Sequence, residues 1–166
     1  TLPDLLREAR SLVILEGVTN ADNVGGVFRN AAAFGAGGVL LSPTCCDPLY
    51  RKAIRTSMGA VLQVPFARAD EWPAALGAVR SAGFTIVALT PRKPATPLAE
   101  FARESAGARI ALVAGTEGAG LTRDVESSAD HRVSIPISGT VDSLNLAVAV
   151  GIALHSLSQP VATGRD

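Results

Sequence analysis

Three clusters of residues have types and spacings that could do chemistry. The first is Asn20-Ala-Asp-Asn-Val-Gly-Gly-Val-Phe-Arg-Asn-Ala-Ala-Ala-Phe-Gly35. Val24, Val27, Phe28 and Ala31 fall at i, i+3, i+4 and i+7, the buried stripe of a helix, and Arg29 points away from that stripe. Gly25 and Gly26 each cost about 1 kcal/mol relative to Ala inside a helix. Near a helix start that loss makes sense where another backbone or a phosphate must come close, because the free N–H groups there attract anions. Asp22 or Asn23 can equally be a plain cap, with Gly35 ending the helix and Arg29 a solvated charge. The caps alone read as structure; the glycine pair with Arg29 reads as a site.

The second cluster is Leu112-Val-Ala-Gly-Thr-Glu-Gly-Ala-Gly-Leu121, an apolar run that meets three glycines and needs unusual backbone angles or a close ligand. It lacks the Lys-Ser/Thr ending of a phosphate-cradling loop and the spacing of a dinucleotide motif. Glu117 within it is either a solvated turn residue or a carboxylate that orients a cation or a hydroxyl. In the third cluster, Ile135 to Val150, an apolar run ends at Pro136, and a polar loop leads to Ser143-Leu144-Asn145 and an Ala-rich helix. Ser143 is placed to cap that helix. Asn145 is a poor former in a first turn and offers an amide to a ligand.

Other chemistry is poorly supplied. His131 and His155 lack ligand spacing, so no metal site is expected and both read as core or surface residues. Cys45-Cys46 reads as a packed pair, and Met58 and Trp72 as core or edge residues. Arg51 and Arg55 share a helix face at i, i+4, with Lys52 beside them. That trio is a solvated face or a grip on a phosphate backbone.

The elements that must position these clusters follow from short apolar runs alternating with helical patterns. Strands are predicted over 11–15, 38–41, 61–66, 84–89, 109–114 and 132–137, and helices over 22–34, 49–58, 71–82, 98–104, 122–128 and 143–157. Most of the strand runs are apolar without alternation, which suits burial on both faces. The expectation is an α/β domain, a mostly parallel sheet flanked by helices, with ligands beyond the carboxyl ends of its strands. The 90–97 segment, with Pro91, Pro94 and Pro97, reads as a stiff loop. The last helix is apolar nearly all round, so it is deeply buried or pressed against a second subunit.

The chain's 166 residues suit one domain, and 48% hydrophobic content is enough for a core. Fifteen basic residues balance fifteen acidic ones, which excludes a polybasic arm as the main device but not a local patch. Thirteen of the fifteen cations are Arg, the residue suited to planar recognition of anions. Two adjacent cysteines build no disulfide framework, so a cytoplasmic location is expected. No apolar run approaches the roughly 18 residues of a spanning helix.

Taken together, the three clusters resemble, in order and spacing, the signature motifs of the SpoU (TrmH-like) RNA ribose 2′-O-methyltransferases of the SPOUT superfamily. The resemblance runs from about Val13 to Leu157. The 47–59 stretch is similar to one common in members that modify ribosomal RNA. The resemblance implies a C-terminal trefoil knot, S-adenosylmethionine as cofactor, and a homodimer whose active site is completed across the interface. By position, Thr90, Gly115, Ile135 and Leu144 would bind the cofactor, and Asn23, Arg29, Glu117, Ser143 and Asn145 match the polar active-site positions. Arg29 would be the base or a clamp on the target phosphate. Asn23 and Glu117 would orient Arg29 or the RNA, and Ser143 and Asn145 would hold the ribose or shape the cofactor loop. The implied partner is RNA, ribosomal in preference to transfer RNA, with no metal and no membrane. Many relatives carry an N-terminal RNA-binding extension; because this chain opens on Thr1 and is neutral overall, such a module is expected to be missing from it.

Two rivals fit less well. A dinucleotide-dependent oxidoreductase needs a glycine motif after the first strand, and Gly17-Val-Thr-Asn20 does not supply one. A silent RNA-binding or dimerisation module would be expected to lose the polar motif positions, yet all five are present.

Overall fold

The computed structural model describes residues 1–158. In chain order the elements are α1 (Leu2–Glu8), β1 (Leu12–Glu16), α2 (Ala21–Ala33), β2 (Val39–Leu41), α3 (Arg51–Thr56), a 3-10 turn (Ala60–Leu62), β3 (Phe66–Arg68), α4 (Ala75–Ser81), β4 (Thr85–Leu89), β5 (Thr96–Pro97), α5 (Leu98–Glu104), β6 (Ile110–Gly115), α6 (Arg123–Ser128), β7 (His131–Ser134) and α7 (Leu146–Ser158). The strands form one sheet in the order β3-β2-β1-β6-β4-β7-β5, with every pairing parallel. The winding reverses between β1 and β6, the kind of switch point beyond which such sheets hold ligands.

Burial explains why the central strands lack alternation. Every residue of β1 and β6 is buried, because helices cover both faces. Val13 and Leu15 face one core with Val24, Phe28, Phe101, Val150 and Leu154, from α2, α5 and α7. Leu12 and Ile14 face the other with Leu5, Leu76, Val79 and Val125, from α1, α4 and α6. The α/β reading with a parallel, helix-flanked sheet holds. No helix among the described residues is long and apolar enough to cross a membrane.

Several boundaries differ from the sequence reading, each for a local reason. The predicted strand over 61–66 opens in a 3-10 turn, entered through Gly59 at φ +80°, and pairing begins only where Phe66 meets Val39. Val61 and Val64 are buried all the same, which is why periodicity could not separate turn from strand. The strand predicted to Ile137 leaves the sheet at Ser134, placing Ile135 and Pro136 in a loop. Helix α1 was not expected, although Thr1 caps it by accepting from Asp4 N and Pro3 stands in its first turn. Met58 is not core or edge: it is 75% exposed, in the left-handed region at φ +54°.

Candidate active site

Beyond the carboxyl ends of β4, β6 and β7 lies a cleft of about 720 Å³. Thr90, Gly115, Ile135 and Leu144 all line it, as do Glu117 and Ser143. Thr90 is fixed as the chain leaves the sheet, its N–H donating to Val133 O at 2.9 Å. The loop after β6 folds back on itself: Gly120 N donates to Thr116 O at 2.9 Å, and Gly120 turns at φ +68°. A Cβ at Gly115 would stand 2.4 Å from the Gly120 carbonyl carbon, so only glycine allows that return. Backbone against backbone, not backbone against ligand, is what demands this glycine.

A second cleft, of about 760 Å³, lies between α2 and α7 and is lined by Asn23, Arg29, Asn30, Asn145, Val148 and Ile152, among others. The glycine pair is explained by how the helices pack. A Cβ at Gly25 would stand 2.7 Å from Ala53 O of α3, and one at Gly26 would stand 2.7 Å from Ala147 Cβ of α7. Asn30 Nδ2 donates to Ala147 O at 2.7 Å and fastens the same crossing. The cap of α2 is neither Asp22 nor Asn23: Asn20 Oδ1 accepts from Asp22 N at 2.8 Å and Asn23 N at 3.2 Å. Those amides are therefore occupied, and the anion-binding reading of this helix start gives way to close helix packing. Arg29 is exposed in this cleft.

The two clefts meet at Asn145. Its Nδ2 donates to Asn23 Oδ1 at 3.1 Å and to Glu117 Oε1 at 2.7 Å. Its Oδ1 accepts from Val148 N at 3.2 Å, so Asn145, not Ser143, caps α7. Glu117 Oε1 also accepts from Leu146 N at 3.2 Å, a carboxylate at the positive end of a helix. Asn23, Glu117 and Asn145 thus form one network across three distant motifs. Within the protomer, Asn23 and Glu117 orient Asn145 and not Arg29. The structure does not bring Arg29 into the first cleft.

Two functional-looking residues escaped the sequence reading. Glu16, buried at the end of β1, accepts from Trp72 Nε1 at 2.9 Å, Thr122 N at 2.9 Å and Thr122 Oγ1 at 2.8 Å. Glu126 is buried on α6, where it accepts from Thr90 Oγ1 at 2.7 Å and pairs with Arg92 at 3.0 Å. Burial alone would raise its carboxyl, but Thr90, Arg92 and Arg132 together hold it below the ordinary glutamate value. In sequence Glu126 sits among Arg123, Asp124 and Ser127 and looks solvated; its partners lie more than thirty residues away.

Elsewhere, Lys52 pairs with Asp22 at 3.2 Å, while Arg51 and Arg55 stay exposed near the second cleft, where Thr56 is part of the lining. Cys45 is buried in the core, and burial pushes the Cys46 thiol up, which keeps it protonated at neutral pH. His155 and His131 are exposed and pack edgewise or tilted on Phe34 and Phe101. The described residues hold no cluster of three or more His, Cys, Asp or Glu that could bind a metal ion.

Residues 10–155 match the model of the SpoU rRNA Methylase family. An uncharacterized tRNA/rRNA methyltransferase of Mycobacterium tuberculosis is 44% identical over 147 residues, an alignment covering 89% of this chain and 51% of that protein. The AdoMet-bound rRNA methyltransferase of Sinorhizobium meliloti superposes with a TM-score of 0.82 at 32% identity, over 89% of this chain and 55% of that one. A structure solved in a study of 2-OH methylation of C/U34 on tRNA gives a TM-score of 0.77 at 30% identity, over 89% of this chain and 93% of that one. The chain spans about half the length of the Mycobacterium tuberculosis protein and of other curated relatives that it matches. With almost its whole length matched, its parallel sheet shared and its three motif segments gathered at two adjoining clefts, the chain belongs to the SpoU rRNA methylase family.

Proposed function

We propose that this chain is the catalytic domain of an S-adenosylmethionine-dependent RNA methyltransferase that modifies a ribose 2′-hydroxyl, with ribosomal RNA as its substrate class. The observation that carries this reading is the Asn23–Asn145–Glu117 network, which joins a loop-built cleft to the cleft holding Arg29. Family membership and the AdoMet-bound relative support the cofactor. The first cleft fits it by size and chemistry: Leu89, Ile135, Leu144 and Leu146 offer an apolar slot for adenine, and the glycine loop brings backbone groups to its edge.

A bound sulfonium donor supplies an already activated methyl group, so the protein's share is mainly alignment. Thr90, Gly115, Ile135 and Leu144 would hold the donor. Arg29 would receive the ribose and its phosphate, as base or as clamp, with guanidinium geometry suited to the latter. Asn145, fixed between Asn23 and Glu117, would orient the ribose, and Ser143 would shape the cofactor loop. Exposed Arg51 and Arg55 beside the Arg29 cleft would contact flanking phosphates.

Because Arg29 lies outside the first cleft in one protomer, a second copy completes the site in this reading. Val148 (51% exposed) and Ile152 (40%) give α7 an apolar strip in the Arg29 cleft that a homodimer would cover. A C-terminal trefoil knot and an RNA-binding module outside this chain belong to the same proposal, as does a cytoplasmic location. Calorimetric titration tests the cofactor assignment: S-adenosylmethionine binds, and NAD and ATP do not. Binding of NAD or ATP in its place would overturn it.

A further inference from the structure

Behind the first cleft lies a charged pair that the proposed chemistry leaves unused. Glu126 is 2% exposed, and its Oε2 has no hydrogen-bond partner among the described residues. A buried carboxylate with an idle oxygen is a poor source of stability, because an apolar side chain of similar volume would fill the place without the desolvation cost. What the pair does hold is position. Glu126 Oε1 accepts from Thr90 Oγ1 at 2.7 Å and lies 3.0 Å from Arg92 Nη1. Arg92 then reaches across: Nη1 donates to Leu121 O at 2.9 Å and Nη2 to Ala119 O at 2.7 Å. Arg92 N also donates to Thr90 Oγ1 at 3.2 Å. Two of the three loops that line the first cleft, 90–97 and 115–121, are therefore tied to one guanidinium and one carboxylate. The second of these loops carries Glu117, which holds Asn145.

We infer that Glu126 is a positioning residue for the cofactor cleft, acting through Arg92 to lock the 90–97 and 115–121 loops in a single relative placement. This rests on the reading of that cleft as the S-adenosylmethionine site. It also refines the part of Thr90, whose hydroxyl proton is committed to Glu126; what Thr90 offers a ligand is its backbone and its place.

The test uses Glu126→Gln, which keeps an acceptor for Thr90 and removes the charge facing Arg92, and Arg92→Met, which keeps the apolar stem. Calorimetry with S-adenosylmethionine and steady-state methyl transfer are read for each. The expected result is a cofactor Kd and KM raised about tenfold, with kcat at saturation and the KM for RNA within about twofold of the parent. Arg92→Lys recovers part of the lost affinity. A purely structural role would lower the melting temperature and leave the cofactor Kd unmoved, and that result overturns the inference. If Glu126→Gln fails to fold, Arg92→Met decides, since the Arg92 side chain is 34% exposed and its loss leaves most packing intact. A parent protein that binds no S-adenosylmethionine overturns the reading of the cleft together with the inference. A parent that binds it while both variants match overturns the inference alone.

Discussion

The two clefts are built by opposite means. The first is made of loops held by backbone: a glycine return at Gly115 and Gly120, Thr90 fixed on β7, and a buried carboxylate behind. The second is made of side chains on two crossing helices, with Arg29 exposed and apolar Val148 and Ile152 beside it. A cleft fixed by backbone suits a ligand of constant shape. One floored by exposed side chains suits a partner that arrives from outside, whether a polynucleotide or a second subunit. Asn145 is the hinge of the comparison, because it caps the helix of one cleft and touches the glycine loop of the other.

The sharpest division should come from Arg29→Ala. Methyl transfer is expected to fall about a hundredfold or more, while the cofactor Kd stays within about twofold, since Arg29 lies outside the first cleft. Loss of cofactor binding would erase the distinction. Gly115→Val should do the reverse, weakening the cofactor about tenfold or more. It should also cost about 1–3 kcal/mol of stability by denaturant titration, because the added atoms meet the Gly120 backbone. Val148→Asp combined with Ile152→Asp should shift sedimentation from dimer to monomer and lower turnover; each side chain is exposed in the protomer, so the fold should change by only about 0.5 kcal/mol. A dimer that persists would place the interface elsewhere.

The smallest effect is on acid response. The Glu126 carboxyl is held below its ordinary value of 4.5 in the fold. Its contribution is therefore present in full above the unfolded value and is lost as pH falls through the folded one. Cofactor affinity should hold steady from neutrality towards pH 5 and decline in stronger acid, and Glu126→Gln should flatten that decline. An unchanged profile in the variant would assign the decline to other groups.

What could be read from sequence divides along similar lines. The α2 stripe from Val24 to Ala31 was legible because helix periodicity is local. So were the segments lining the first cleft, where glycine and proline mark loops after apolar strands. Of the two reasons open for Gly25 and Gly26, a close backbone or a close phosphate, close packing against neighbouring helices is the one that holds, and the sequence could not choose because Ala53 and Ala147 lie far along the chain. Asn145 looked like a misfit inside a helix that starts at Ser143; in fact the helix starts one residue after it, and a side chain that competes with backbone becomes a cap. Glu126 gave no local signal, because its burial is set by Thr90 and Arg92 on another loop. Val61 and Val64 were correctly apolar and wrongly extended, since burial does not choose between turn and strand.

The most direct measurement is the chemical position of the transferred methyl group. The protein is incubated with labelled S-adenosylmethionine and total RNA lacking the modification, and the RNA is digested to nucleosides and mapped. Label is expected only in a 2′-O-methylated nucleoside of ribosomal RNA. Label on a base, or in no RNA at all, would contradict it.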